Sequence, residues 1–105
     1  MSENIKEVGG ADFAKTIEKG VTLVDFWAPW CGPCRLLAPV LEKVAARVAG
    51  KAAIVKVNVD EDPALAGQFG VRSIPTLILF KDGKVVQQII GFQSEEKLAS
   101  MIESA

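Results

Sequence analysis

The order of hydrophobic patterns along these 105 residues predicts an α/β protein, a central mixed β-sheet flanked by helices on both faces, in one domain spanning residues 1–105. Three observations predict it. Two nearly continuous apolar runs, residues 21–27 and 53–59, read as strands buried on both faces. A helical pattern lies between them, so they should run parallel. Further on, Lys81-Asp82-Gly83-Lys84 separates two more strand-like runs and reads as a hairpin turn, which adds an antiparallel pair. The expected order is β-α-β-α-β-α-β-β-α.

Each element has its own signals. Residues 5–8 form a short first strand, ended by Gly9-Gly10. Residues 12–19 form a helix with Phe13 and Ile17 on one face, closed by Gly20. After the strand at 21–27, a helix runs from about Cys34 to Ala49. In it Leu37, Val40, Leu41, Val44 and Val48 recur at steps of three and four, and Gly50 stands where a C-terminal cap belongs. Pro39 removes one backbone hydrogen bond inside this helix and is expected to kink it. That kink either aims the first turn outward or is a tolerated bend. After the strand at 53–59, Asp62 and Pro63 open a short helix as N-cap and first residue, and Gly70 ends it. Residues 71–75 are loop, and the hairpin strands follow at 76–80 and 85–90. Ser94 caps a last helix, with Glu95 and Glu96 in its first turn and Leu98, Met101 and Ile102 facing inward.

Composition narrows the chemistry. Half the residues are hydrophobic, 24% are charged and the net charge is −1, which suits a monomeric globule with one core. No basic excess points to nucleic acid, and no apolar run approaches the eighteen or so residues of a membrane span. The first seven residues lack the apolar region of a secretory leader, so a cytoplasmic, reducing location is expected. With no histidine there is no Ser-His-Asp or Cys-His pair, no haem-attachment signal and no histidine metal site. No Gly-rich phosphate loop appears either. Thiol chemistry remains.

Both cysteines and both tryptophans fall in ten residues, Phe26-Trp27-Ala28-Pro29-Trp30-Cys31-Gly32-Pro33-Cys34-Arg35, where a strand feeds a helix. The first backbone N–H groups of a helix lack intrahelical partners, and the helix dipole is positive there. A thiolate on Cys31 is stabilised by both, which lowers its pKa. Pro33 suits a first turn because its missing N–H would go unused. Cys34 lies three residues on, along the same face, so the two sulfurs can join with little backbone movement. Cys31 then attacks and Cys34 resolves. Three other readings compete. A structural disulfide closing so short a loop contributes only roughly 2 kcal/mol. Half a zinc site needs further ligands, without histidine or a third cysteine to supply them. Two idle buried thiols do not call for the flanking Gly-Pro and Trp.

The string Trp27-Ala28-Pro29-Trp30-Cys31-Gly32-Pro33-Cys34 resembles the active-site motif of the thioredoxin family, and Ile74-Pro75-Thr76 resembles its second signature. The resemblance covers the chain from about Val21 onward, more loosely before that. It implies the thioredoxin fold and a general protein disulfide reductase. No cofactor is implied beyond the Cys31–Cys34 couple. The implied partners are protein disulfides and an NADPH-dependent flavoprotein, thioredoxin reductase. It also implies a cis Pro75 against the dithiol, whereas only about one X–Pro bond in twenty is cis by general frequency. Ile74 would offer its backbone N–H and C=O to an extended substrate segment.

Around this centre several residues have two readings. Asp25 sits inside an apolar strand, where burial raises the pKa of an acid. Lys56 has matching parity on its own strand. The two form either a structural buried pair or, as the resemblance implies, a site where Asp25 accepts the proton of Cys34. Trp30, Gly32, Pro33, Ile74, Pro75, Gly91 and Phe92 are expected to form an apolar rim around Cys31. Phe92 departs from the small residue of many family members and could instead staple the last helix. Trp27 reads as packed core beside the dithiol. Gly32-Pro33 places no cation between the cysteines, and Arg35 alone is near. This argues for a mild thiolate and a reducing couple rather than an oxidant. Two rivals stay open: an oxidant or isomerase in an oxidising compartment, and a non-catalytic binding subunit.

Overall fold

A computed structural model describes residues 4–105. Five strands and four helices alternate as β1 (Ile5–Glu7), α1 (Gly10–Ile17), β2 (Val21–Trp27), α2 (Gly32–Arg47), β3 (Ala52–Asn58), α3 (Pro63–Gln68), β4 (Thr76–Lys81), β5 (Lys84–Ile90) and α4 (Glu95–Glu103). The expected order is met. The strands form one sheet in the order β1-β3-β2-β4-β5. β3 runs parallel to β1 and β2, while β4 is antiparallel to both β2 and β5. The sheet is mixed and has β2 at its centre.

Side-chain alternation divides the core into two layers. On one face Ile5, Leu23, Ile54, Leu77 and Leu79 meet Leu37, Leu41 and Val44 of α2 and Leu98 and Ile102 of α4. On the other, Val24, Phe26, Val55, Val57, Ile78 and Phe80 meet Phe13 and Ile17 of α1 and Leu65 of α3. Phe13, Phe69 and Phe80 pack ring to ring there, with centroids 5.3–5.7 Å apart.

The helix starts differ from those expected. α1 begins two residues early, at Gly10, because its cap is supplied from elsewhere. Its own N-cap Gly9 has no side chain to give, and the Gly10 N–H donates instead to Asp62 Oδ2 at 2.6 Å. The other oxygen of Asp62 accepts from Leu65 N–H at 3.1 Å, capping α3 as expected. One carboxylate therefore caps two helices. α2 starts at Gly32 rather than Cys34, since Cys31 itself is the N-cap, and it ends at Arg47 rather than Ala49. It continues through Pro39, which lies on the exposed side of the helix, where a missing N–H costs least.

The hairpin turn is a two-residue loop. Asp82 and Gly83 have φ of 50° and 85°, both in the left-handed region that a tight β-turn of this hand requires. Asp82 also reaches across to Gly20: its N–H donates to the Gly20 carbonyl at 2.9 Å, and its Oδ1 accepts from Gly20 N–H at 2.8 Å. The turn is thus fastened to the α1–β2 connection.

Candidate active site

The dithiol lies where β2 ends and α2 begins. Cys31 has extended backbone angles and is the N-cap of α2, and Cys34 lies in the first turn behind Pro33. Cys34 N–H donates to Cys31 Sγ at 3.2 Å, so the sulfur occupies the position of a capping oxygen. The two cysteines are joined as a disulfide with Cα atoms 5.2 Å apart, and both are buried, at 3% exposure each. In the reduced state the charge of a Cys31 thiolate would lie against this N–H and the positive end of the helix, both of which lower a thiol pKa. Arg35 is exposed.

The loop before β4 closes over the pair. The Ile74–Pro75 bond is cis, as the family resemblance implied. The Ile74 carbonyl oxygen lies 3.8 Å from Cys31 Sγ. Ala28, Cys31 and Cys34 pack together with Trp27, Val59 and Ile74. Gly91 N–H donates to the Pro75 carbonyl at 2.8 Å, which ties the end of β5 to the same loop. Phe92 follows and is half exposed. Trp30 is 67% exposed, and its Nε1–H donates to Asp60 Oδ2 at 2.8 Å. Trp27 is half-buried beside the dithiol.

Behind the thiols a row of charge crosses the sheet. Glu7, Lys56 and Asp25 are successive cross-strand neighbours on β1, β3 and β2. All three share the parity of Ile5, Ile54 and Leu23, and so face the α2 side, where Cys34 is buried. Asp25 is 1% exposed, and among the described residues nothing hydrogen-bonds its Oδ1. Burial raises its carboxyl pKa from 3.8 to about 7, against the opposing pull of Lys56 and with the help of Glu7.

Of the two readings of Asp25 and Lys56, the direct ion pair is not made. Ion pairs within 4.0 Å among the described residues involve only Arg47 with Glu95 and Glu96. The Lys56 ammonium lies instead over the Trp27 ring, 5.0 Å from its centroid. Trp27 Nε1–H in turn donates to Glu7 Oε2 at 3.2 Å. The Glu7 carboxyl is raised in pKa by burial, partly offset by that indole bond and by Lys56.

Of the residues singled out in the sequence, the structure packs Cys31, Cys34, Trp27 and Ile74 together, with Pro75 next to Ile74 across the cis bond and Gly91 bonded to Pro75. Lys56 and Asp25 lie behind them. Glu7, Asp60 and Val59 were missed. No motif marks them, and their relevance follows from register and packing alone. Among the described residues no group of three His, Cys, Asp or Glu side chains is placed to hold a metal, and no helix is long and apolar enough to cross a membrane.

Comparison with known proteins gives a consistent result. The family model described as Thioredoxin matches residues 4–104. A thioredoxin from Staphylococcus aureus (strain N315) is 54% identical over 99 residues, covering 94% of this chain and 95% of that one. The USA300 strain's thioredoxin matches to the same extent. A solved mutant thioredoxin from Halobacterium salinarum superposes with a TM-score of 0.89 at 43% identity, covering 96% of this chain and 89% of that one.

Proposed function

The chain belongs to the thioredoxin family and is a thiol–disulfide oxidoreductase; from that premise we propose how its residues divide the work on protein disulfides. The observation that carries the reading is the sulfur of Cys31 at the N-cap of α2, accepting the Cys34 N–H. The Cys31 thiolate attacks one sulfur of a substrate disulfide. A Cys31–substrate disulfide forms, and the other substrate sulfur leaves as thiolate and takes a proton from water. Cys34 gives its proton to Asp25 and attacks Cys31 Sγ. The second substrate sulfur then leaves, and the Cys31–Cys34 disulfide remains. Two electrons have passed to the substrate, and the couple itself carries them without a bound cofactor.

Asp25 suits the proton step because it faces the α2 side and ionises close to neutral pH, so it can take a proton and later release it. Trp30, Gly32, Pro33, Ile74, Pro75, Gly91 and Phe92 form the surface on which an extended substrate segment lies, with Ile74 as the backbone partner. The oxidised protein is returned to the dithiol by thioredoxin reductase, which draws electrons from NADPH. The working compartment is a reducing one, such as the cytoplasm. Glycine and proline between the cysteines leave the thiolate without an adjacent cation, which favours the reducing direction.

The roles separate in two variants. Cys34→Ser should accumulate a mixed disulfide through Cys31 when mixed with a disulfide-bonded protein such as insulin, visible by non-reducing electrophoresis. Cys31→Ser should accumulate at least tenfold less. Equal trapping by both variants would reverse or abolish the assignment. Unimpaired target binding with no trapping by either would favour a non-catalytic subunit.

A further inference from the structure

The row of charge behind the dithiol has a member at the sheet edge that the exchange scheme above does not use. Glu7, on the outermost strand β1, is the cross-strand neighbour of Lys56. Lys56 is equally the neighbour of Asp25 on the central strand. A lysine between two carboxylates can serve only one of them closely, yet it pairs directly with neither. Its ammonium is held over the Trp27 ring, and that ring is held by the Glu7 carboxylate through Nε1–H. Asp25, the buried member, keeps an oxygen without a partner.

We infer that Glu7 is a positioning residue for the resolving step: it anchors the indole that carries Lys56, and its own charge lies in line with that of Asp25 across the sheet. The inference rests on the reading of Asp25 as proton acceptor for Cys34. Two consequences act in the same direction. Lys56, engaged with the indole, does not close on Asp25 as a salt-bridge partner. The Glu7 charge also opposes ionisation of Asp25, which reinforces the effect of burial. An Asp25 closely paired with Lys56 would ionise at acid pH and accept protons poorly at neutral pH. Glu7 prevents that pairing.

The other groups around Asp25 are few. β4 places Leu77 opposite it. On this face α2 buries Cys34, Leu37 and Leu41, and α4 buries Leu98 and Ile102. Glu61, after β3, acts on Glu7. The titratable groups are therefore Lys56, Glu7 and Glu61, joined by the thiols of Cys31 and Cys34 when these are reduced.

The test is Glu7→Gln, which keeps an acceptor for the indole and removes the charge. Glu7→Leu removes both. In the oxidised protein the cysteines do not titrate, so the carboxyl NMR shift of Asp25 can be followed against pH without them. Neighbouring strands are about 4.8 Å apart, so Glu7 lies roughly 10 Å from Asp25. With one partner in contact with water, that separation predicts a fall in the Asp25 midpoint of about 0.3–0.6 pH unit in Glu7→Gln. Glu7→Leu should lower it at least as far. The pH dependence of the resolving rate should move by the same amount. An Asp25 midpoint that superimposes on the parent in both variants overturns the inference, whereas a fall in Glu7→Leu alone keeps the positioning role and assigns it to the indole anchor. Failure of the underlying reading looks different: Asp25→Asn would then resolve mixed disulfides at the parent rate, while the Glu7→Gln titration would still shift.

Discussion

Asp25 ties catalysis to stability through its proton. Its carboxyl ionises at about 7 in the folded protein and has an ordinary value of 3.8. Between these values the native state holds a proton that the unfolded chain has released, so stability falls as pH rises across this window. The loss is complete above pH 7 and absent below about pH 4. Asp25→Asn removes the charge, and it should stabilise the protein at pH 8 by roughly 2–4 kcal/mol. Near pH 4 it should add nothing. Denaturant unfolding at the two pH values checks this, and equal stabilities at pH 8 would show that burial costs Asp25 little. At this scale the sequence was most informative where chemistry and spacing coincide: Cys31, Cys34, and an acid inside an apolar strand. The partnership of Lys56 stays open between two readings in the sequence. Parity put it on the correct face beside Asp25, but the competing indole of Trp27 is a three-dimensional neighbour with no sequence signature.

Among the elements, α1 illustrates how much a cap taken from elsewhere can contribute. Eight residues are too few to hold a helix alone in water. Asp62 supplies the missing acceptor to α1 while capping α3, so Asp62→Ala removes two caps at once. The expected loss is about 2 kcal/mol, and a fall in Tm of roughly 10 °C in thermal melts. Asp62→Asn has a single carbonyl oxygen to offer and should fall between. A loss no larger than that of an ordinary surface alanine would mean that water replaces both bonds. The early start of α1 was not legible, because nothing local marks an acceptor 52 residues away. The start of α2 was off by two residues for a related reason: a cysteine sulfur is an unusual N-cap, whereas Ser94 and Asp62 are ordinary ones and were placed correctly.

For the molecule as a whole, element order and the mixed sheet followed from alternating patterns. The neighbours of β2 did not all follow. A helical crossover places β3 beside β2, but nothing in the strands themselves says that β1 adds outside β3 and β4 on the other flank. Those positions come from which apolar faces remain to be covered. Redox state and stability are linked at this scale as well. If the folded couple is more reducing than an unfolded Cys-x-x-Cys pair, the disulfide must stabilise the native state. Each 30 mV of difference corresponds to about 1.4 kcal/mol. The oxidised protein should therefore unfold at higher denaturant than the reduced one. The opposite order would mark an oxidant, and the argument from Gly32-Pro33 would fail.

The fastening of Asp82 to Gly20 has a bearing on how the chain is made. Gly20 waits 62 residues for its partner, and Gly10 waits 52 for Asp62. A ribosome delivers the chain from the N-terminus at about 5–20 residues per second. For several seconds, therefore, the first helix lacks the carboxylate that caps its start, and the connection after it lacks the one that fastens it to the hairpin turn. This region is synthesised early and completed late, and the segment that emerges with the hairpin turn closes the work begun some sixty residues before it.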